Sequence, residues 1–244
     1  MNPDDFEKEV RENIERQGED RSLRQDSVDW MVRSAKYKYS YNFRWLGRPI
    51  IQFPQDIVAL QEIIWTVRPG AIVETGIAHG GSLILSASIL ELIGGDGVVV
   101  GVDIEIKPHN REAILAHPMA KRIELIEGSS VDTRVVEQVR KRVEGKTPVM
   151  VLLDSNHSHK HVLEELRRYS GMVSKDSYIV VFDTLIENVP EDLFADRAWG
   201  KGNSPKTAVE TFLAESDRFQ ADHTIEDKLL ITVAPGGFLR CVRS

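Results

Sequence analysis

A glycine-rich stretch from residue 71 to residue 82 has the composition of a ligand-binding turn. The apolar run at its start ends in an acid, and three glycines and a serine follow: Glu74, Gly76, Gly80, Gly81 and Ser82. This order is typical of a buried strand, a tight turn and a helix start, where free backbone N–H groups face a ligand. Glycine permits the positive φ of such a turn and a close approach of the ligand. The pattern predicts a nucleotide-type ligand, although βα turns without a ligand can share it.

The acid at position 74 favours a cationic ligand. Dinucleotide-binding turns read G-x-G-x-x-G, whereas the glycines here fall as G-x-x-x-G-G behind an acid. A carboxylate at a strand tip would repel a pyrophosphate, but it would attract the sulfonium and ammonium groups of S-adenosylmethionine. Asp103 ends the next apolar run, from residue 97, and is suited to hold two ribose hydroxyls. We therefore predict that Glu74 and Asp103 bind the cofactor.

A second set of reactive side chains follows two later apolar runs. Asp154 ends the run that starts at residue 148, His157 comes shortly after it, and Asp183 ends the run from residue 177. Two carboxylates at neighbouring strand ends can hold a hard divalent cation such as Mg²⁺. The histidine beside them can take a proton from a substrate hydroxyl. Helix capping is the alternative role for both acids, and His159 and His161 are expected to be exposed or to support the next helix.

Alternating apolar runs and helical spacing predict the elements that position these residues. Five parallel strands are predicted at residues 72–74, 98–103, 122–127, 148–154 and 177–183. The carboxyl ends of parallel strands meet at one edge of a sheet, so the polar residues at these ends are expected to lie together. Two further strands, at residues 229–233 and 238–242, flank a short Pro-Gly-Gly turn and must be antiparallel.

The predicted fold class is α/β: a Rossmann-like class I methyltransferase fold with a mostly parallel seven-stranded sheet and a C-terminal antiparallel hairpin. A dinucleotide-binding sheet would end in a sixth parallel strand instead. Helices are predicted at residues 56–67, 82–93, 108–117, 131–143, 161–172 and 208–214. Asp56 is expected to cap the first of them. Residues 184–206 form a long polar connection, and this length is typical of a lid or a substrate-binding segment.

The first part of the chain differs in composition from the rest. Residues 1–29 are charged and predict a solvated helix and a loop, whereas residues 30–53 are rich in aromatic and basic side chains. We interpret residues 1–54 as an N-terminal appendage, a lid or an oligomer contact, and residues 55–244 as the S-adenosylmethionine-binding methyltransferase domain. The aromatic segment favours a homo-oligomer, with packing of the appendage onto the domain as the alternative.

Composition limits the partners and the compartment. The chain has 244 residues, 41% of them hydrophobic, which fits one large α/β domain. A formal net charge of −7 and the lack of a dense basic stripe argue against nucleic acid and anionic membranes as partners. No apolar run has the length of a bilayer span, and the acidic first residues are unlike a signal peptide. The single cysteine, Cys241, excludes an internal disulfide, and the expected location is cytoplasmic.

Five segments together resemble the cephalosporin hydroxylase family. They are V-E-T-G-I-A-H-G-G-S at residues 73–82, G-V-D-I at 101–104, L-D-S-N-H-S-H at 153–159, V-F-D-T at 181–184 and N-S-P-K-T-A at 203–208. The similarity runs from about residue 37 to the C-terminus. This family includes the cephamycin-pathway methoxylation protein and rhamnosyl O-methyltransferases, and sugar O-methyltransferases of macrolide pathways are related to it. The resemblance implies the methyltransferase fold, S-adenosylmethionine as cofactor and Mg²⁺ as metal.

The resemblance also implies a role for each candidate residue, by position. The residues that would contact the methionine part of the cofactor are Glu74, Gly76, Gly80, Gly81 and Ser82. Asp103 would contact the ribose, and Ser129 and Ser130 would lie on the adenine side. Asp154 and Asp183 would hold the metal, and His157 matches the base of the sugar methyltransferases.

One position departs from the family pattern. The metal site of the family often has two adjacent acids, where this chain reads Phe182-Asp183-Thr184. Thr184 or water is then expected beside the metal, or Glu187 reaches in, or metal binding is weak.

The sequence thus predicts an S-adenosylmethionine-dependent O-methyltransferase that acts on a hydroxyl of a sugar or glycosylated small molecule, in polysaccharide or natural-product biosynthesis. His157 would take the hydroxyl proton, and a metal on Asp154 and Asp183 would make the hydroxyl more acidic. One alternative is an NAD-dependent oxidoreductase. Glu74 and the C-terminal hairpin argue against it, because neither is typical of a dinucleotide-binding fold. Another is a non-catalytic partner that keeps the fold in an antibiotic-tailoring pair, which the single acid at position 183 favours.

Overall fold

A seven-stranded sheet forms the centre of the computed structural model, which describes residues 2–244. A separate hairpin precedes it, formed by β1 (Phe43–Trp45) and β2 (Arg48–Ile50). The strands of the main sheet are β3 (Ala71–Thr75), β4 (Val98–Asp103), β5 (Ile123–Glu127), β6 (Val149–Leu153), β7 (Tyr178–Val181), β8 (Phe219–Ala221) and β9 (Phe238–Cys241). Their order is β5-β4-β3-β6-β7-β9-β8. Strands β3 to β7 are parallel, and β9 is antiparallel to β7 and β8. The predicted fold class is confirmed.

Helices cover both faces of this sheet. They are α1 (Pro3–Glu19), α2 (Arg21–Ala35), α3 (Pro54–Val67), α4 (Gly81–Ile93), α5 (Pro108–Leu115), α6 (Thr133–Val143), α7 (His159–Tyr169), α8 (Pro205–Glu215) and α9 (His223–Leu229). Successive side chains of a strand point to opposite faces. Ala71 and Val73 accordingly pack with α6, α7 and α8, whereas Ile72 packs with α3 and α4. Strand β3 lies inside the sheet, between β4 and β6, and both of its faces are buried. Its carboxyl end therefore lies at the central part of the sheet edge where ligands bind in parallel α/β sheets.

The C-terminal hairpin differs from the prediction. The antiparallel partner of β9 is β8, and residues 229–233 do not form a strand. Leu229 ends α9, and Leu230 follows with a φ of +58°, which turns the chain sharply. The backbone of Val233 then bonds to Asp56 and to Leu185 rather than to a neighbouring strand. The apolar run before the Pro-Gly-Gly turn therefore contains the end of α9 and a segment that is hydrogen-bonded to Asp56 and Leu185.

The N-terminal part forms two helices where one helix and a loop were expected. Asp20 separates them, and its side chain accepts a hydrogen bond from Leu23 N at 2.9 Å, which caps α2. Helix α1 packs against α9, where Gln17 Nε2 donates to Lys228 O at 2.9 Å. Arg24 of α2 also forms an ion pair with Asp227 of α9. The division of the chain at residue 54 remains a prediction.

Aromatic side chains join the N-terminal part to the start of α3. The ring of Tyr39 lies 5.0 Å from Trp30, 5.0 Å from Phe43 and 5.8 Å from Phe53, measured between centroids. Such pairs add to the stabilisation from apolar burial. This cluster holds α2 beside the carboxyl end of the sheet.

Candidate active site

The glycine turn after β3 is packed too closely for larger residues. Gly76 has a φ of +82°, and a Cβ atom there would lie 2.2 Å from the backbone oxygen of Asp154. Gly80 has a φ of +79°, and a Cβ atom there would meet Ile114 Cδ1 at 2.4 Å. The turn is tied to β4 because Ile77 N donates to Asp103 Oδ2 at 2.9 Å. Glycine therefore brings the backbone of the turn against both neighbouring strand ends.

Glu74 lies in β3 just before this turn, and only one of its two carboxylate oxygens has a hydrogen-bond partner among the described residues. It is 2% exposed, and Ser82 Oγ donates to one of its carboxylate oxygens. The other oxygen is buried without a partner among the described residues. Burial raises the pKa of Glu74 to about 8, and the negative charge of Asp103 adds to the shift. An unpaired buried carboxylate is costly, so a cationic ligand group would stabilise this position.

The other cofactor candidates lie at the ends of β4 and β5. Asp103 is half-buried, and besides Ile77 N it accepts from Glu105 N at 3.2 Å. Ser129 and Ser130 follow β5; Ser130 is buried, and its Oγ lies 3.0 Å from His161 Nε2. His161 was expected to be exposed or to support the next helix, and the structure shows it in contact with the candidate residue Ser130 as well.

His159 is half-buried rather than exposed. Its backbone N donates to Asn203 Oδ1 at 3.0 Å, and its Nδ1 lies 2.8 Å from Thr207 Oγ1. The side chain thus supports the contact between α7 and α8.

Asp154, His157 and Asp183 converge at the ends of β6 and β7. One ligand atom from each lies within 4.8 Å of the others, and His157 Nδ1 is 3.3 Å from Asp183 Oδ2. Burial raises the pKa of Asp154 well above its usual range, and the carboxylate of Asp183 adds to the shift. Two carboxylates that repel each other beside an imidazole form a suitable donor set for a divalent cation. These residues fit Mg²⁺ because they converge on one point and because two of them are carboxylates.

Thr184 and Glu187, two of the alternatives for the place beside the metal, are engaged elsewhere. Thr184 is fully buried, and its hydroxyl donates to Pro235 O at 2.9 Å. Glu187 accepts from Gly202 N at 3.0 Å and from Ser204 Oγ at 2.6 Å. The third member of the group is His157 instead. The sequence had already predicted this histidine beside the two acids.

A cleft of about 760 Å³ joins the two sets of residues. Its floor contains Gly76, Asp103, Asp154, His157 and Asp183. A small adjoining hollow contains Ser82 and Gly81, whereas Ser129 and Ser130 line neither space. The structure therefore brings Gly76 of the turn, the ribose candidate and the acid–histidine group to one cavity, and the adenine candidates do not line it.

The upper walls of the cleft come from two segments distant in sequence. One wall is α2 with the aromatic segment after it, including Met31, Val32 and Tyr39. The other is the loop from residue 188 to residue 203, where the Trp199 ring lies 4.9 Å from both His157 and Phe194. Sequence reasoning identified both segments as lids or binding segments but missed Met31 and Val32, because two apolar positions on a mostly polar helix are a weak signal.

Comparison with known proteins identifies the family of this chain and several relatives. A family described as Rhamnosyl O-methyltransferase/CmcI matches residues 37–242. A rhamnosyl O-methyltransferase of Mycobacterium bovis is 32% identical over 190 residues, which cover 75% of this chain and 72% of that protein. The rhamnosyl O-methyltransferase of Mycobacterium leprae is 29% identical over 200 residues, 80% of this chain and 81% of that protein.

Solved structures share the fold at lower sequence identity. CmcI with Mg and SAM superposes with a TM-score of 0.58 at 20% identity, over 83% of this chain and 78% of that one. An O-methyltransferase from Bacillus cereus in complex with SAH superposes with a TM-score of 0.54 at 16% identity, over 91% of both chains. The fold is thus the one found in these methyltransferase structures.

The chain belongs to the rhamnosyl O-methyltransferase/CmcI family, as the sequence segments predicted. Its family is one of O-methyltransferases. The alternative of an NAD-dependent oxidoreductase is therefore not supported. Among residues 2–244, no helix combines the length and the apolar character needed to cross a membrane.

Proposed function

We propose that the protein transfers the methyl group of S-adenosylmethionine to a hydroxyl of a sugar-containing acceptor. One observation carries this proposal: the glycine turn and the acid–histidine group line the same cleft. A methyl donor and a proton acceptor can thus meet one hydroxyl, and holding reactants in such a geometry supplies much of catalysis. The relatives named as rhamnosyl O-methyltransferases support a sugar as the part of the acceptor that is methylated.

The residues around the glycine turn fit the cofactor. S-adenosylmethionine supplies a methyl group on a positively charged sulfur, which an oxygen can take by displacement. Glu74 has a buried oxygen free for a cationic group, and Asp103 can accept from ribose hydroxyls at the end of β4. Gly76 lines the cleft, and because it has no side chain the backbone of the turn is open to a ligand there. Ser129 and Ser130 are proposed for the adenine side.

The two carboxylates at the strand ends would hold a divalent cation such as Mg²⁺. Asp154 and Asp183 supply oxygen ligands, which hard cations prefer, and the charge of the cation would offset their mutual repulsion. A bound cation of this kind lowers the pKa of a hydroxyl, which favours attack by its oxygen.

His157 is proposed as the general base. Its Nδ1 faces Asp183 at 3.3 Å, so a proton on Nδ1 leaves Nε2 to accept the proton of the acceptor hydroxyl. The Trp199 ring lies across the imidazole at an interplanar angle of 83° and limits its movement. Asp183 thus orients the base as well as lining the proposed metal site.

Calorimetric titration with S-adenosylhomocysteine and, separately, with NAD tests the cofactor assignment. Each ligand is titrated in the presence of Mg²⁺ and in the presence of EDTA. We expect S-adenosylhomocysteine to bind and NAD not to bind, and a dependence on Mg²⁺ would support the metal site. Binding of NAD alone would overturn the proposal.

Substitution of His157 tests the chemical role. His157→Ala is expected to lower methyl transfer to a panel of rhamnosides by about 10²- to 10⁴-fold, because a general base contributes that much. Its affinity for S-adenosylhomocysteine should be unchanged. His109→Ala, at an exposed histidine of α5, serves as the control and should retain full activity. If wild-type protein binds the cofactor but methylates no sugar acceptor, the non-catalytic partner becomes the better assignment.

We also propose that the protein forms a homo-oligomer through its aromatic N-terminal segment. Tyr37 and Tyr41 are 70% and 57% exposed, and exposed aromatic side chains are enriched at protein interfaces. Light scattering of the purified protein would measure the mass directly, and a mass equal to one chain would contradict this assignment.

A further inference from the structure

Asp56 is a fully buried acid outside the candidate active site. It lies in the first turn of α3, but the expectation that it caps this helix is wrong, because its carboxylate faces another segment. One oxygen accepts from the hydroxyl of Thr232, and the other accepts from Val233 N at 3.1 Å. Thr232 Oγ1 in turn accepts from Ala234 N at 3.0 Å. Asp56 therefore fixes the segment from residue 232 to residue 234.

The segment that Asp56 fixes continues along both sides of Asp183. Three hydrogen bonds join the two parts of the chain: Val181 N to Gly237 O (2.8 Å), Thr184 Oγ1 to Pro235 O (2.9 Å) and Leu185 N to Val233 O (3.1 Å). The first precedes Asp183 and the other two follow it. The backbone on each side of this acid is thus held by residues 233–237.

Asp183 needs such support because its backbone conformation is unfavourable. Its φ is +58°, in the left-handed region that non-glycine residues seldom occupy. A conformation of this kind persists when the surrounding structure holds it. Without the bonds to residues 233–237, the chain after β7 could relax, and the carboxylate would move away from Asp154 and His157.

We propose that Asp56 is a positioning residue for Asp183: it holds the 232–237 segment, which sets the orientation of the Asp183 carboxylate. The inference rests on the metal site described under the proposed function. Burial raises the pKa of Asp56 to about 7, and Asp183 is among the charges that contribute, so the two carboxyls are near enough to interact. Residues that orient metal ligands in this way commonly change metal affinity by about 10- to 100-fold.

Titration of the full-length protein with Mn²⁺ tests this role, with saturating S-adenosylhomocysteine present. Calorimetry gives the affinity, and the electron paramagnetic resonance signal of Mn²⁺ reports its ligand geometry. Asp56→Ala is expected to bind Mn²⁺ at least about tenfold more weakly. Its affinity for S-adenosylhomocysteine should stay within about twofold, because the Asp56 carboxylate bonds to Thr232 and Val233 and not to the glycine turn.

A second pair of variants keeps the test valid if Asp56→Ala does not fold. Thr232→Val removes the hydroxyl that links Asp56 to Ala234, whereas Thr232→Ser retains it. We expect weaker Mn²⁺ binding in the valine variant and near wild-type binding in the serine variant. Thr224→Val is the matched control, since this threonine lies in α9 and bonds to Asp222.

The outcomes separate this inference from the proposed function. Equal Mn²⁺ affinity in wild type, Asp56→Ala and Thr232→Val would overturn the positioning role. Wild-type protein that binds S-adenosylhomocysteine but not Mn²⁺ would overturn it too, while leaving the methyltransferase proposal in place. Failure of the wild type to bind S-adenosylhomocysteine would instead count against the proposed function itself.

Discussion

The buried acid at the tip of β3 gives the cofactor site a measurable proton linkage. Burial raises the pKa of Glu74 to about 8, so most of this carboxyl is protonated at pH 7 when no ligand is bound. A cationic ligand favours the ionised form. We therefore expect binding of S-adenosylhomocysteine, through its ammonium group, to release a proton from Glu74, and the affinity to rise between pH 7 and pH 8.

Calorimetry in buffers of different ionisation enthalpy measures the number of protons released. Glu74→Gln should bind the ligand more weakly and lose the proton release at pH 7. Glu105→Gln is the control, because this acid is exposed and pairs with Lys107 at the surface. A binding enthalpy that does not depend on the buffer, in wild-type protein, would contradict the linkage.

At the level of elements, the loop from residue 188 to residue 203 is fixed at its base. Glu187 bonds to Gly202 and Ser204, and Asn203 accepts from His159 N at 3.0 Å. The loop thereby holds Trp199 against His157, at the wall of the cleft. An aromatic ring beside the base is suited to pack against the apolar face of a sugar.

Substitution of Trp199 should therefore affect the acceptor more than the cofactor. Trp199→Ala is expected to raise the KM for a rhamnoside acceptor that the wild type methylates about tenfold, equivalent to about 1.4 kcal/mol. The affinity for S-adenosylhomocysteine should be unchanged. Steady-state methylation assays measure this effect. Trp65→Ala, at a half-exposed tryptophan of α3, is the control. An unchanged KM in Trp199→Ala would mean that this loop does not contact the acceptor.

The elements that sequence predicts well are those with local signals. Strands β3 to β7 end in polar residues after apolar runs, and the glycine turn has a steric requirement, so both could be located from the chain alone. The run at residues 229–233 misled because an apolar end of a helix and a short strand look alike over a few residues. The role of Asp56 also had no local signal, since its partners lie in a segment far along the chain.

At the scale of the whole molecule, the cleft depends on parts of the chain that only tertiary folding brings together. Helix α2 and the loop around Trp199 contribute its walls, and the ends of β6 and β7 contribute part of its floor. The position of the acid–histidine group could be predicted from the general geometry of parallel sheets. Its three members were also predicted, and the structure brings them together. The positions of Thr184 and Glu187 could not be predicted, because they follow from through-space contacts with distant residues.

Buried acids also make the stability of the whole molecule depend on pH. In the unfolded chain, Asp56 and Glu74 are ionised above about pH 5. In the folded protein, burial raises their pKa values to about 7 and about 8, so both stay mostly protonated from pH 5 to about pH 6.5. The folded state then binds more protons than the unfolded state, and the free energy of unfolding must fall as pH rises.

Each such carboxyl lowers the free energy of unfolding by about 1.4 kcal/mol per pH unit across this range. Asp56→Asn removes one titrating group, so the decline between pH 5 and pH 6.5 should be shallower by about that amount. Urea denaturation of the cofactor-free protein in EDTA measures both slopes. Asp132→Asn, at the exposed start of α6, should keep the wild-type slope. Equal slopes in wild type and Asp56→Asn would mean that Asp56 is ionised in the folded protein at pH 5, despite its burial.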